Sequence, residues 1–359
     1  MEAAYAGGIS EQARLICGAR GVQASGNREA ERAVVVSVVV PTRGRPNLVT
    51  RAVASALAQD FSSFEVVVVI DGEDRVSRAA LDAMNDPRLR VIDLAVSVGG
   101  AEARNVGVRA ARGEWIAFLD DDDEWLSHKL SRQIVAARRR KAAWPVVGSR
   151  LIVRTPEYEV VRPLRDYKAV RPVSEYLFCR GSLKDGPYAL QTSTLMMPRE
   201  LMAAVPFRAG LKRHQDWDWV LRAERALGVE FAVVDEPLVV YRAEDGRESV
   251  GRRQDWEFSL AWGREMRRYF SAKAYAWFVA AECASRAAKN RAGLAVYAEI
   301  MREFVLEGRP TVGSTAVLVG FLGLPQAWRE GVRRLTRRWR RGGMIPARSG
   351  VGATMGAGC

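Results

Sequence analysis

The chain has 359 residues, 48% of them hydrophobic, enough to bury a substantial core, and its four Cys (17, 179, 283 and 359) fall in no metal-ligand or disulfide spacing. Its two His, His128 and His214, are too few for a histidine-built zinc centre, and neither stands beside a Ser or Cys motif that would make a nucleophile pair. The formal charge of +13 is lopsided: residues 260–359 hold 17 Lys or Arg and 6 Asp or Glu, a surplus of 11, which leaves +2 for the rest and points to an anionic partner near the C-terminus.

Residues 1–34 are small, polar and charged, and read as a flexible leader without the apolar stretch of a signal peptide. Val34–Val40 is an almost pure β-branched run that stops at Pro41-Thr42-Arg43-Gly44-Arg45-Pro46. A continuous apolar strand, a punctuated loop and then a helix over 47–58 is the first βα unit of a parallel sheet. Phe64–Ile70 is the second strand and runs into Asp71-Gly72-Glu73-Asp74, with a helix over 75–85. Asp71 suits two tasks, accepting a ligand's hydrogen bond or capping that helix. Leu89–Ile92 is a third strand, followed by Gly99-Gly100 and a helix over 101–111 that carries Arg104. Arg104 can neutralise an anionic ligand or hold a nearby carboxylate.

Residues 113–125, Gly-Glu-Trp-Ile-Ala-Phe-Leu-Asp-Asp-Asp-Asp-Glu-Trp, carry the densest chemistry in the chain. A short buried strand delivers Asp120, Asp121, Asp122 and Asp123 to its end. Four adjacent carboxylates repel one another, and a divalent cation with hard oxygen ligands relieves that, unless the loop is simply solvated. A helix over 125–138 follows, ending in basic residues that complement its dipole. Trp144–Val153 and Gln191–Pro198 read as strands on either side of an irregular, Pro-punctuated stretch with a short helix at 174–178.

Gly210–Arg222 places Gln215-Asp216-Trp217-Asp218 at the start of an apolar helix. Asp216 and Asp218 lie about 200° apart on such a helix, so only one faces a cleft. Trp217 and Trp219 read as core or cleft wall. Two short strands are expected at 228–233 and 238–242, then helices over 256–288 and 293–306. Residues 311–325 are apolar but too short and Gly-rich to span a bilayer, and an Arg-rich helix over 328–341 follows them. An apolar patch beside a basic helix suits either a peripheral membrane contact through 311–341 or a packed helical subdomain with its arginines in water. Residues 342–359 are expected to be disordered.

The order of these motifs resembles the family-2 glycosyltransferases, enzymes of the GT-A fold that use nucleotide-sugar donors. The resemblance rests on the first-strand ending at Pro41-Thr42, on Asp71-Gly72, on Gly-Gly-Ala-Glu-Ala-Arg-Asn-x-Gly at 99–107, on Asp120-x-Asp122, on Gln215-Asp216, and on Tyr241-Arg242 with Ser249. It implies an α/β fold with a mixed, mostly parallel sheet flanked by helices and a C-terminal helical extension. It implies a GT-A domain over 35–250, with a nucleotide-sugar half at 35–125 and an acceptor half at 126–250. A basic helical region over 251–341 and the tail at 342–359 follow.

By the same resemblance Pro41, Thr42 and Arg43 border the donor nucleotide, and Asp71 accepts from its base. Arg104, Asp120 and Asp121 belong to the donor site, and Asp122 with Asp120 holds Mg²⁺ or Mn²⁺. Asp216 is the expected general base for inverting transfer to an acceptor hydroxyl. A UDP-sugar is the default donor, and the acceptor, whether carbohydrate, lipid-linked or small molecule, is left open. Two departures stand out: Ile70 replaces the first Asp of the usual Asp-Asp pair, and Glu244 or Asp245 falls where many relatives carry a His. A nucleotidyltransferase acting on sugar phosphates would need a fuller Gly-rich basic loop than Thr42–Arg45. An inactive sugar- or nucleotide-binding relative would be free to lose Asp71, Asp122 and Asp216. Nucleic acid is not an expected partner, because the basic tail lacks interleaved aromatics. A cytoplasmic location, at most peripheral to the inner face of a membrane, is expected.

Overall fold

The computed structural model describes residues 34–169, 171–180, 189–243, 256–323 and 345–346. β1 (Val36–Thr42) is buried from end to end, as an unbroken β-branched run must be when helices cover both faces of its sheet. It pairs in parallel with β2 (Phe64–Ile70) on one side and with β4 (Trp115–Phe118) on the other. β3 (Leu89–Asp93) adds in parallel to β2. The chain thus builds outward from β1 to β3 and returns to β4 across β1, which makes the β1–β4 gap a topological switch point.

Beyond β4 the sheet turns antiparallel through β8 (Met196–Pro198), β6 (Trp144–Arg154) and β7 (Tyr158–Arg162), with Ile345–Pro346 pairing β7 at the edge. β9 (Val229–Arg242) lies parallel to β6 and antiparallel to β5 (Asp123–Trp125). The helices are α1 (Pro46–Leu57), α2 (Arg75–Asp82), α3 (Gly100–Ala110), α4 (Lys129–Arg138), α5 (Val173–Phe178), α6 (Arg199–Ala204) and α7 (Gln215–Ala223). After them come α8 (Trp256–Glu265), α9 (Ala272–Phe278), α10 (Ala284–Lys289), α11 (Leu294–Arg302) and α12 (Val312–Gly323).

The strand period of two splits β1 between two cores. Val36, Val38 and Val40 face one with α1 and α4, while Val39 faces the other. That second core contains Phe118, Phe207 and Trp219 from the sheet side together with Trp262, Phe270, Tyr275 and Phe278 from α8 and the segments after it. The C-terminal helices therefore close the same apolar layer that lies under the strand carrying the acidic run. α3 approaches the sheet at Gly107, where a Cβ would collide with the Val39 side chain.

Several expected elements are redrawn by local hydrogen bonding. Trp125 is not helical but ends β5, its N–H donating to Ser55 Oγ and its Nε1 to the Ser193 carbonyl, and α4 starts only at Lys129. Lys129 is fully buried, its Nζ over the Trp125 ring (3.9 Å) and bonded to Gln133 Oε1 (2.6 Å), and burial drives its pKa well down. The expected strand over 191–198 survives only as β8, because Thr192–Thr194 forms a turn that tucks Ser193 inward. The two strands expected at 228–242 are one, β9, with a register shift around Arg150 that accommodates Pro237. The expected long helix over 256–288 breaks at Arg267–Tyr269 and passes through a π-turn at Val279–Cys283, and the one over 293–306 also ends in a π-turn at Glu303–Glu307. The leader, the 244–249 loop, the basic helix at 328–341 and most of the tail at 342–359 lie outside the described residues.

Gly107→Ala tests the α3–sheet contact. Overpacking Val39 should cost about 1–3 kcal/mol, read as a lower midpoint in denaturant unfolding with an unchanged slope.

Candidate active site

The site assembles at the carboxyl ends of β1, β2 and β4. Thr42, the last residue of β1, donates its hydroxyl to Asp121 Oδ2 (2.8 Å) across the switch point. Gly44, at φ +63°, turns the following loop so that Arg45 Nη1 reaches Asp121 Oδ1 (3.0 Å) and Asp122 Oδ2 (3.6 Å). Asp121 is buried; desolvation raises its pKa, and Arg45 and the Thr42 hydroxyl oppose that rise. Arg43, the loop arginine singled out in the sequence, is exposed, and it is Arg45 that meets the carboxylates. Pro41 is buried within β1 opposite Val69.

Asp71 is buried at the end of β2 and occupied on both oxygens. It accepts from Ser97 Oγ (2.9 Å), Val98 N (2.6 Å) and Gly99 N (3.0 Å). The helix cap, the alternative task for Asp71, comes instead from Asp74, which accepts from Ser77 N (3.0 Å). Asp71 thus pins the Gly99 turn, whose φ of +86° suits glycine, and through it the start of α3.

Arg104 extends from α3 and spans two motifs. One terminal nitrogen bonds Asp120 Oδ1, and the other bonds Gln215 Oε1 (2.8 Å). The guanidinium lies over the Phe207 ring (5.6 Å) with only 8% of the residue exposed. Two motifs separated by nearly a hundred residues are thereby joined by one side chain, with Asp216 next in line after Gln215. Asp216 is half-buried at the start of α7, and its pKa is pushed up to about 6, first by desolvation, against the Trp217 N–H, and further by the charge of Asp120. Asp218 points elsewhere. It is fully buried and takes Arg208 (2.7 Å), Arg222 (2.8 Å) and the Trp262 Nε1–H (3.1 Å). Trp219 is likewise core, with its Nε1 bonded to the Val205 carbonyl (2.7 Å).

Asp120, Asp122 and Asp123 each bring a carboxylate oxygen within 4.8 Å of the others. Asp123 is the member that sequence reading left out of the metal set. Its Oδ2 accepts from Ser193 Oγ (2.6 Å), and that hydroxyl in turn accepts from the Asp120 N–H (3.0 Å). Its Oδ1 is buried with no hydrogen-bond partner. Desolvation and then the charge of Asp120 push its carboxyl well above the usual range. Hard oxygen donors, an orphaned buried oxygen and uncompensated negative charge are what a divalent cation of the Mg²⁺ or Mn²⁺ type satisfies, so the residues fit such an ion. Asp123 was discernible only as the fourth Asp of the run, and Arg45 only as the second arginine after Thr42.

His214, which showed no companion in sequence, has one in space: Nε2 shares a hydrogen bond with Ser259 Oγ (3.0 Å). Both are buried, and the His214 ring packs against Trp217, Trp262 and Phe278.

The sequence pattern of Glycosyl transferase family 2 matches residues 37–187. The amylovoran biosynthesis glycosyltransferase AmsB of Erwinia amylovora is 27% identical over 235 residues, 63% of this chain and 75% of that protein. The glycosyltransferase GlyG of Streptococcus pneumoniae serotype 4 is 27% identical over 258 residues, 67% of this chain and 79% of that protein. The succinoglycan biosynthesis protein ExoO of Rhizobium meliloti is 43% identical, but over 102 residues that span 28% of this chain and 29% of that protein. Among solved structures, that of Staphylococcus aureus TarS 1-349 in complex with UDP-GlcNAc superimposes with a TM-score of 0.48 at 20% identity, covering 80% of each chain.

Thermal unfolding with and without Mn²⁺ tests the carboxylate cluster. At about 100 times its dissociation constant the ion should add about 2.7 kcal/mol to the parent, and Asp122→Asn should lose that gain. Asp123→Asn should also lose it while raising the metal-free midpoint, because one of the repelling charges is gone.

Proposed function

The chain belongs to glycosyltransferase family 2, and from that membership we propose that it transfers a sugar from a nucleotide-diphosphate donor, a UDP-sugar by default, to an acceptor hydroxyl with inversion. The observation that carries this reading is the Arg104 bridge, which puts the Asp120–Asp123 cluster and the Gln215-Asp216 turn at one site.

In this reading the donor diphosphate lies along the β1–β4 switch point, with Thr42 and Arg45 on one flank and the Gly99-Gly100 turn at the start of α3 on the other. Asp71, while pinning that turn, borders the nucleotide base. Asp120, Asp122 and Asp123 would hold the cation, which supplies positive charge against the departing diphosphate. Arg104 and Arg45 add fixed positive charge beside the same oxygens. Asp216 faces the reacting carbon from the other side and takes the proton of the acceptor hydroxyl as that oxygen attacks. A base with a pKa near 6 is well matched to this task, since it is ionised at neutral pH yet holds a proton more firmly than an ordinary aspartate. The C–O bond to the diphosphate breaks as the C–O bond to the acceptor forms, and the carbon inverts.

The names of AmsB and ExoO refer to the biosynthesis of amylovoran and succinoglycan. They support an acceptor on the route to a bacterial polysaccharide. We extend the proposal to a peripheral contact with an anionic membrane surface through 311–341, from a cytoplasmic location. No helix among the described residues is long and apolar enough to cross a membrane. α12 nevertheless leaves Val312 and Val319 exposed, and an Arg-rich sequence follows it.

A donor-hydrolysis screen over UDP-, dTDP- and GDP-sugars with Mn²⁺ or Mg²⁺ checks the chemistry. Asp216→Asn should lower kcat by about 10²–10⁴-fold with little change in donor KM. The parent's kcat should fall as pH drops through about 6, because protonation removes the base. A donor processed equally by the parent and Asp216→Asn would sink the assignment. For the membrane contact, the full chain should sediment with phosphatidylglycerol vesicles. The full chain with Arg333, Arg334, Arg337 and Arg338 changed to Gln should sediment less, and equal sedimentation would remove the proposal.

A further inference from the structure

The segment that delivers Asp216 is gripped from behind by α8. α7 begins at Gln215, and the residue before it, His214, has left-handed backbone (φ +62°, ψ 24°) and makes no side-chain cap. Its carbonyl takes the first helical hydrogen bond, from the Asp218 N–H (2.7 Å), so its dihedrals set the direction of the turn that holds Asp216. The side chain turns away from the helix it precedes. The ring stacks on Trp217 (4.8 Å, 10° between planes), packs against Trp262 (4.7 Å) and Phe278 (6.0 Å), and bonds Ser259. Glu282, from the π-turn after α9, lies 4.0 Å from Nε2. The same α8 face takes hold again four residues later, where Trp262 donates to Asp218.

Asp216 is therefore flanked at 214 and 218 by residues anchored to α8, while Gln215, between them, is tied to Arg104 on the donor side. A left-handed residue other than glycine persists where its surroundings over-determine it, and here they comprise Trp217 of α7 itself, Ser259 and Trp262 of α8 and Phe278 of α9. The aromatic enclosure and the hydrogen bond fix the ring. The ring fixes the backbone, and the backbone aims the carboxylate.

We propose that His214 is a positioning residue for Asp216, and that α8, through Ser259 and Trp262, is a working part of the transfer site and not an appendage to it. The inference rests on the reading of Asp216 as the base.

The test compares the parent, Ser259→Ala, His214→Phe and Asp216→Asn in hydrolysis of UDP-glucose, UDP-N-acetylglucosamine and the other donors of the screen above. Ser259→Ala removes only the hydrogen bond, and His214→Phe keeps an aromatic ring in the stack. Each should lower kcat by about 10- to 100-fold, as a base misplaced by about 1 Å does. Donor KM should stay within about twofold, and the acid limb of the pH profile should move. A purely structural His214 would lower the thermal midpoint and leave kcat per folded molecule and the acid limb unchanged; that result overturns the proposal. Inactive Asp216→Asn beside parental Ser259→Ala and His214→Phe overturns the positioning role alone. Active Asp216→Asn removes the base assignment and this inference with it. Crystal structures give a reading that needs no substrate. In both variants the 214–218 turn should be displaced and the Arg104–Gln215 contact broken, and a turn superimposable on the parent's overturns the proposal.

Discussion

Mutual repulsion among the carboxylates at the end of β4 is the constraint around which this molecule is arranged. The strand itself is fully buried, so its last residues emerge at the rim of a dry core where like charges are poorly screened. Arg45, Thr42, Arg104 and Ser193 come from four different elements, and each answers a different oxygen of the run. Their combined effect is incomplete. Asp121 and Asp123 keep raised pKa values, desolvation being the larger cause in both, and one oxygen of Asp123 has no partner. That deficit, at a topological switch point, is one that a divalent cation held by Asp120, Asp122 and Asp123 would relieve.

How much of this was visible beforehand follows from the range of the interactions. The βα units, the acidic run and the Gln215-Asp216 turn are local patterns, set by apolar periodicity and punctuation, and they emerge close to where the periodicity puts them. What misled was competition between local propensity and distant partners. Trp125 looks like a helix start, but strand pairing with β9 and two hydrogen bonds from elsewhere hold it extended. Gln191–Thr194 looks like strand, but Ser193 is needed inside to bridge Asp120 and Asp123. The choice of Arg45 over Arg43 depends on one left-handed glycine, Gly44, which separates the two arginines. The pairing of His214 with Ser259 spans 45 residues and has no signature in either neighbourhood.

The C-terminal helices change the meaning of the layer beneath the sheet. Their aromatic residues complete the core under Phe118 and Phe207, and Phe207 lies beneath the Arg104 guanidinium. Packing and electrostatics are thus continuous from α8 to the acidic cluster. Loosening the helical layer would reach the cleft without any residue of the cleft being altered.

Asp71 spends its lone pairs on the protein itself, holding Ser97, Val98 and Gly99 in place. That flank of the site is accordingly tied to one carboxylate at three consecutive residues. The chain entropy of ordering that flank is spent at folding, and a ligand bound there would have little of it left to lose.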